Sequence, residues 1–171
     1  MTEEAAFAEL YRTHYRQVRA LCRQLLGAER AEDAAQEAFT RAYRNLDGYD
    51  RALPFGGWIM SIARNHCLDL LRRRGTERTL FGTEAAEAEA VAHEGPDQVG
   101  SLVLAERAAA VNAAVAALPE RYRVPLALAY YADASYDEIA HELGITRTHV
   151  GVLLCRAKQL LRKTLAEEPR P

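Results

Sequence analysis

Lysine is almost missing from this chain of 171 residues: of its 22 basic side chains only Lys158 and Lys163 are lysines, and the rest are arginines. Arginine's planar fork favours bidentate contact with phosphates and base edges, although a compositional bias that also enriches alanine gives the same preference. Cysteine is scarce as well. Cys22, Cys67 and Cys155 are odd in number, far apart and without a C-x-x-C pair. That pattern offers neither zinc-ligand spacing nor a disulfide framework, and it predicts small buried thiols. No apolar run approaches the ~18 residues of a membrane span, and the chain opens on Thr2-Glu3-Glu4 rather than on a signal peptide. A reduced, cytoplasmic protein with no direct membrane insertion is therefore expected. Nor is there an excess of one charge: the formal net charge is −2, so no global positive field announces a polyanionic partner. The five histidines, His14, His66, His93, His141 and His149, form no H-E-x-x-H. With no glycine-rich phosphate loop and no nucleophile–base pair, no catalytic activity, cofactor or metal is expected.

What is present is helical and unevenly charged. Counting Lys+Arg against Asp+Glu gives 7 against 9 over residues 1–50, 6 against 2 over 51–78, 1 against 6 over 79–117 and 8 against 7 over 118–171. The basic excess coincides with the most informative stretch, residues 54–74, where an aromatic and glycine-rich opening leads into an apolar helix ending in Arg72, Arg73 and Arg74. Trp58, Ile59, Ile62, Ala63, His66, Leu70 and Leu71 share one face at helical spacing, while Arg64, Asn65, Leu68 and Arg72 lie mostly off it and Asp69 near its edge. Arginine neutralises phosphate, Asn and Asp can read base edges, and a nearby ring can receive an unstacked base. The same residues also fit a core helix with a solvated basic end.

Residues 3–26 read as a helix with Phe7, Leu10, Tyr11, His14, Val18, Leu21, Cys22 and Leu25 on one stripe, ended by Gly27. A second helix, roughly 30–46, turns Ala31, Ala35, Ala38, Phe39, Ala42, Tyr43 and Leu46 inward and exposes Glu32, Asp33, Gln36 and Glu37. Residues 47–57 read as a loop and 57–74 as the third helix, closing a first domain over 1–75. Over 76–100 the periodicity dissolves into a stretch rich in Glu, Ala, Thr and Gly, expected to be a flexible acidic linker. Such a tether lets two domains reach sites more than one DNA turn, about 34 Å, apart. The remainder, 101–171, holds four helical patterns at about 101–117, 120–132, 135–143 and 146–166. Ser135 with Glu138 forms a capping box, Gly144 suits a left-handed turn and Thr146 can cap the last helix. This is the outline of a helix-turn-helix, with Ile139, Ala140, Leu143, Ile145, Val150 and Leu154 as its small core. The fold expected is all-α: two small helical domains joined by a flexible linker.

Three ordered stretches carry a resemblance to one family. Ala31-Glu32-Asp33-Ala34-Ala35-Gln36-Glu37-Ala38-Phe39, then Trp58 to Asn65 with Asp69 and Arg72-Arg73-Arg74, then Leu118-Pro119-Glu120-Arg121-Tyr122-Arg123 with Ser135 to Ile145, together resemble the small extracytoplasmic-function (ECF) sigma factors of the sigma-70 family. The resemblance covers nearly the whole chain except the linker. It implies a non-catalytic protein that binds core RNA polymerase and directs it to promoter DNA, with an anti-sigma factor as a further partner. On this likeness Glu32, Asp33, Gln36 and Glu37 dock on the polymerase clamp helices. Tyr49, Phe55, Trp58, Arg64, Asn65, Asp69, Arg72 and Arg73 serve −10 recognition and melting, with Tyr49 and Phe55 as the base-receiving rings, Trp58 as core anchor, and the Gly56-Gly57 loop approaching DNA closely. Arg147, Thr148, His149, Arg156 and Lys158 serve the −35 contact. The recognition helix departs from the family at Gly151, Val152 and Leu153, where basic and hydroxyl groups are common. Two rivals stand beside this reading: a stand-alone helix-turn-helix regulator, and a sigma paralogue with weakened −35 recognition.

Overall fold

A computed structural model describes residues 2–74 and 104–167; the expected linker, 76–100, lies outside them. Among the described residues there are seven α-helices, one short 3-10 turn and no strand. The helices are α1 (Glu3–Leu26), α2 (Ala28–Arg44), α3 (Phe55–Arg73), α4 (Leu104–Ala116), α5 (Glu120–Tyr131), α6 (Tyr136–Leu143) and α7 (Arg147–Glu167), with the 3-10 turn at Leu46–Gly48. No helix among them is long and apolar enough to cross a membrane. The chain divides into two compact units, the first holding residues 2–74 together with 127–134, the second the remaining described helices.

In the first unit the helix ends are set by local chemistry. Thr2 Oγ1 accepts the Ala5 N–H, and Glu3 and Glu4 occupy the first turn of α1, where a helix's partial positive charge favours carboxylates. Gly27 ends α1 and starts α2 at φ 93°, a backbone angle open to glycine and strained for other residues. Pro54, with φ −62°, precedes α3. The helix therefore begins at Phe55, so Gly56 and Gly57 belong to its first turn rather than to a loop. A Cβ on Gly56 would lie 3.1 Å from the His14 imidazole, so this glycine lets α3 close on α1, whereas a Cβ on Gly57 would meet nothing within 4 Å.

Helices α1, α2 and α3 pack against one another around Val18, Leu21, Cys22, Leu25, Ala31, Ala35, Ala38, Phe39, Ala42, Ile59, Ala63 and Cys67. The alanine row of α2 permits the close approach. The core face of α3 is turned from the one expected. Met60, Cys67 and Leu68 are buried with Ile59, Ala63, His66 and Leu71, whereas Trp58, Ile62 and Leu70 are half-buried. Tyr43, expected inward, is exposed, its ring edge-on to Phe7 at 5.0 Å.

In the second unit α4 and α6 both pack on α7. The capping box forms as the sequence requires: the Glu138 N–H donates to Ser135 Oγ at 3.2 Å, and the Ser135 N–H to Glu138 Oε2 at 2.8 Å. Gly144 is left-handed at φ 66°, and Thr146 Oγ1 accepts the His149 N–H at 3.1 Å. Ile139, Leu143, Val150, Leu153, Leu154 and Ala157 are buried.

Candidate polymerase and promoter surfaces

Three sets of side chains stand out, two in the first unit and one in the second. On α2 the buried row Ala31, Ala34, Ala35, Ala38 fixes the opposite face outward, leaving Glu32, Asp33 and Gln36 exposed and Glu37 half-buried. Glu37 Oε1 accepts from Arg41 Nε at 2.8 Å one turn on, and this hydrogen bond holds its carboxyl below the ordinary carboxylate range. The three carboxylates can thus present their oxygens to a basic partner.

The second set gathers where α3 begins. The Tyr49 and Trp58 rings stack at 4.8 Å with their planes 29° apart. The loop beneath is braced: the Ala52 N–H donates to Asp50 Oδ1 at 2.9 Å, and the Tyr49 hydroxyl donates to the Leu53 carbonyl. Phe55 is buried, edge-on to Tyr49, Trp58 and Phe7 and tilted on His14 at 5.4 Å. The burial of Phe55 and Trp58 is thus the reverse of that expected. Phe55 cannot receive a base without leaving the core and acts as the anchor, while the half-buried Trp58 shares the reachable surface with Tyr49.

Further along α3, Asn65, Asp69, Arg72 and Arg73 are exposed and Arg64 is half-buried, its Nε buried without a hydrogen-bond partner among the described residues. Asp69 Oδ1 accepts from Arg72 at 3.2 Å, the intrahelical pairing that the three-residue spacing favours. One neighbour of these surfaces is not among the residues that the family resemblance singles out. Arg41 orients Glu37 and lies close enough to act on His66; the Glu37-x-x-x-Arg41 spacing is the sequence signal for it.

The third set lies on α7. Since Val150, Leu153, Leu154 and Ala157 face the core, helical geometry puts Thr148, Val152 and Cys155 at the middle of the opposite face. Arg147 and Lys158 then fall on one flank and His149 and Arg156 on the other. Arg147 donates to Asp137 Oδ2 at 2.9 Å, and its guanidinium stands 6.0 Å from the Tyr136 ring centre. Leu153, which the family pattern marks as a lost DNA contact, is a core residue 2% exposed. The departure from the family reduces to Gly151 and Val152.

Comparison with known proteins finds two family models along the chain. The model of sigma-70 region 2 matches residues 10–77 and that of sigma-70 region 4 matches 108–161. The ECF RNA polymerase sigma factor SigW of Bacillus subtilis is 30% identical, covering 96% of this chain and 91% of its own. The ECF RNA polymerase sigma factor SigL of Mycobacterium tuberculosis is also 30% identical, covering 96% and 92%. In fold, the chain is similar to the sigma factor RpoE of Bartonella quintana, solved in complex with the anti-sigma factor NepR, with a TM-score of 0.56 over 96% of this chain and 99% of that one at 24% identity. On the two region matches and the full-length likeness, this chain belongs to the ECF sigma factors of the sigma-70 family.

Proposed function

We propose a division of labour for this alternative sigma factor, a non-enzymatic protein that directs transcription initiation. Residues 1–75 act as region 2, residues 101–171 as region 4, and 76–100 tether them. Glu32, Asp33, Gln36 and Glu37 bind the clamp of core RNA polymerase through an acidic, hydrogen-bonding face. Trp58 and Tyr49 hold a base extruded from the −10 element, and Arg64, Asn65, Arg72 and Arg73 grip the backbone and base edges beside it. Unstacking costs a few kcal/mol per step, offset by stacking of about 1–3 kcal/mol per captured base on an aromatic ring. The observation that carries this reading is the stacked Tyr49–Trp58 pair, held at the head of the helix that carries those polar groups.

Arg147, Thr148, His149, Arg156 and Lys158 contact −35 DNA. The uncharged Val152 and Cys155 at the middle of that face, together with the engagement of Arg147 by Asp137, favour a second reading in which the −35 grip is weak and the −10 element dominates promoter choice. An anti-sigma factor regulates the protein, a reading supported by the complex of its structural relative RpoE with the anti-sigma factor NepR. The protein works in the cytoplasm and joins the nucleoid when polymerase-bound. A stand-alone helix-turn-helix regulator would leave the region 2 match unexplained. Transcription in vitro with purified core enzyme tests the whole reading: specific transcripts and permanganate-reactive −10 thymines are expected only when the chain is added, and their absence refutes it.

A further inference from the structure

Two of the three thiols meet inside the first unit. Cys22 on α1 and Cys67 on α3, 45 positions apart, bring their sulfurs to 3.6 Å, with the Cys67 thiol donating to Cys22. Both are free and fully buried. We propose that Cys22 and Cys67 form a redox-modification site, at which a two-electron oxidant of the peroxide class converts the two thiols to a disulfide fastening α1 to α3. One thiol, as thiolate, attacks the peroxide and becomes a sulfenic acid, releasing water. The second sulfur displaces the sulfenic oxygen as another water, so two thiols and one hydrogen peroxide give one disulfide and two waters. A dithiol reductant returns both thiols.

The geometry asks for little movement. The sulfurs must close from 3.6 Å to a bond of about 2.05 Å, a displacement shared between the two side chains and the helices that carry them. Chemistry sets the pace. The hydrogen bond to Cys22 and burial both push the Cys67 thiol far above its ordinary range, so thiolate is scarce and the reaction is slow, gated by opening of the α1–α3 contact. The product constrains a long loop of the unfolded chain and so stabilises the unit whose α3 carries Trp58, Asn65 and Arg72.

The test uses the full chain with Cys155→Ser, which removes the half-exposed third thiol. Folded protein is held with hydrogen peroxide and followed by intact mass, peptide mapping and thermal unfolding. Expected are a mass lower by two hydrogens, a linked Cys22–Cys67 peptide pair, reversal by dithiothreitol, and a melting temperature raised by roughly ten degrees. Adding Cys22→Ala should abolish the two-hydrogen loss. The proposal is overturned if folded protein retains both thiols while a guanidinium-unfolded control cross-links. It is equally overturned if oxygen atoms add to either sulfur without a link.

Discussion

Phe55 and Trp58 sit three residues apart and differ in what their loss should do. Phe55 is 6% exposed and packed among Phe7, His14 and Trp58, so Phe55→Ala should cost about 3–5 kcal/mol of stability in the first unit, measured by denaturant unfolding. Trp58→Ala should leave the fold largely intact but lower open-complex formation roughly tenfold or more, for a lost stacking partner worth about 1–3 kcal/mol, measured by permanganate reactivity. Equal losses of stability in the two variants would contradict the assignment. The sequence places these rings together, but the order expected for them, Trp58 inside and Phe55 outside, is the reverse of their burial. Starting the helix at residue 57 leaves Phe55 in a loop, whereas the actual start after Pro54 puts Phe55, Ile59, Ala63 and Cys67 in one row of four-residue steps. His66 carries a second prediction. Burial first, then the Arg41 guanidinium, hold it below its ordinary range, with Arg73 acting the same way and Glu37 and Asp69 opposing. The unfolded imidazole, titrating near 6.5, therefore takes up a proton before the folded one does. The stability held by neutral His66 is complete well above that value and is lost as pH falls through it toward the folded value. His66→Gln should flatten the decline in melting temperature between about pH 7 and pH 5; an unchanged slope would assign the acid sensitivity elsewhere.

Among the elements, the turn between α6 and α7 is the most legible in the sequence, because its determinants are local: Ser135, Glu138, Gly144 and Thr146 each act within a few residues of chain. Ser135→Ala should cost about 1 kcal/mol by unpairing the Glu138 N–H, visible as a lowered melting temperature of the second unit. Less legible is what α7 turns outward. A sequence comparison counts Gly151, Val152 and Leu153 alike, yet the buried row Val150, Leu153, Leu154 and Ala157 claims Leu153 for the core, a fact that only packing reveals. Pro125, buried within α5, leaves no mark on the periodicity either, since the apolar pattern continues across a residue that cannot donate to the Arg121 carbonyl. If α7 lies on phosphate, Gly151→Lys should tighten binding to a −35 duplex and steepen the logarithmic salt dependence by nearly one unit. It should also relieve about 1 kcal/mol of glycine's helix penalty, so the salt slope, rather than affinity alone, is the reading that decides.

For the whole molecule, the net charge of −2 conceals a separation of charge along the chain that the proposed function uses. On the proposed assignment, an acidic face on α2 is offered to a protein while the arginine-rich end of α3 is offered to DNA, both within the first unit. That polarity is legible in the segment-by-segment charge of the sequence, and the order of the two units in its three matching stretches. The linker discloses only reach, because a segment without periodicity specifies length and composition but no contacts. If the two charged faces are independent, they can be separated by mutation. Asp33 is exposed, and Glu37 pairs with the partly exposed Arg41, a solvent-screened pair of the kind that adds little to stability. Asp33→Lys with Glu37→Lys should therefore barely move the melting temperature and leave binding of the full chain to an isolated −35 duplex intact. The same variant should lose co-purification with core polymerase and, with it, specific transcription, since two reversed charges would face a basic partner. Retained co-purification would remove the clamp assignment from α2. Loss of duplex binding as well would show that the two units do not act separately and that the tether is not a passive one.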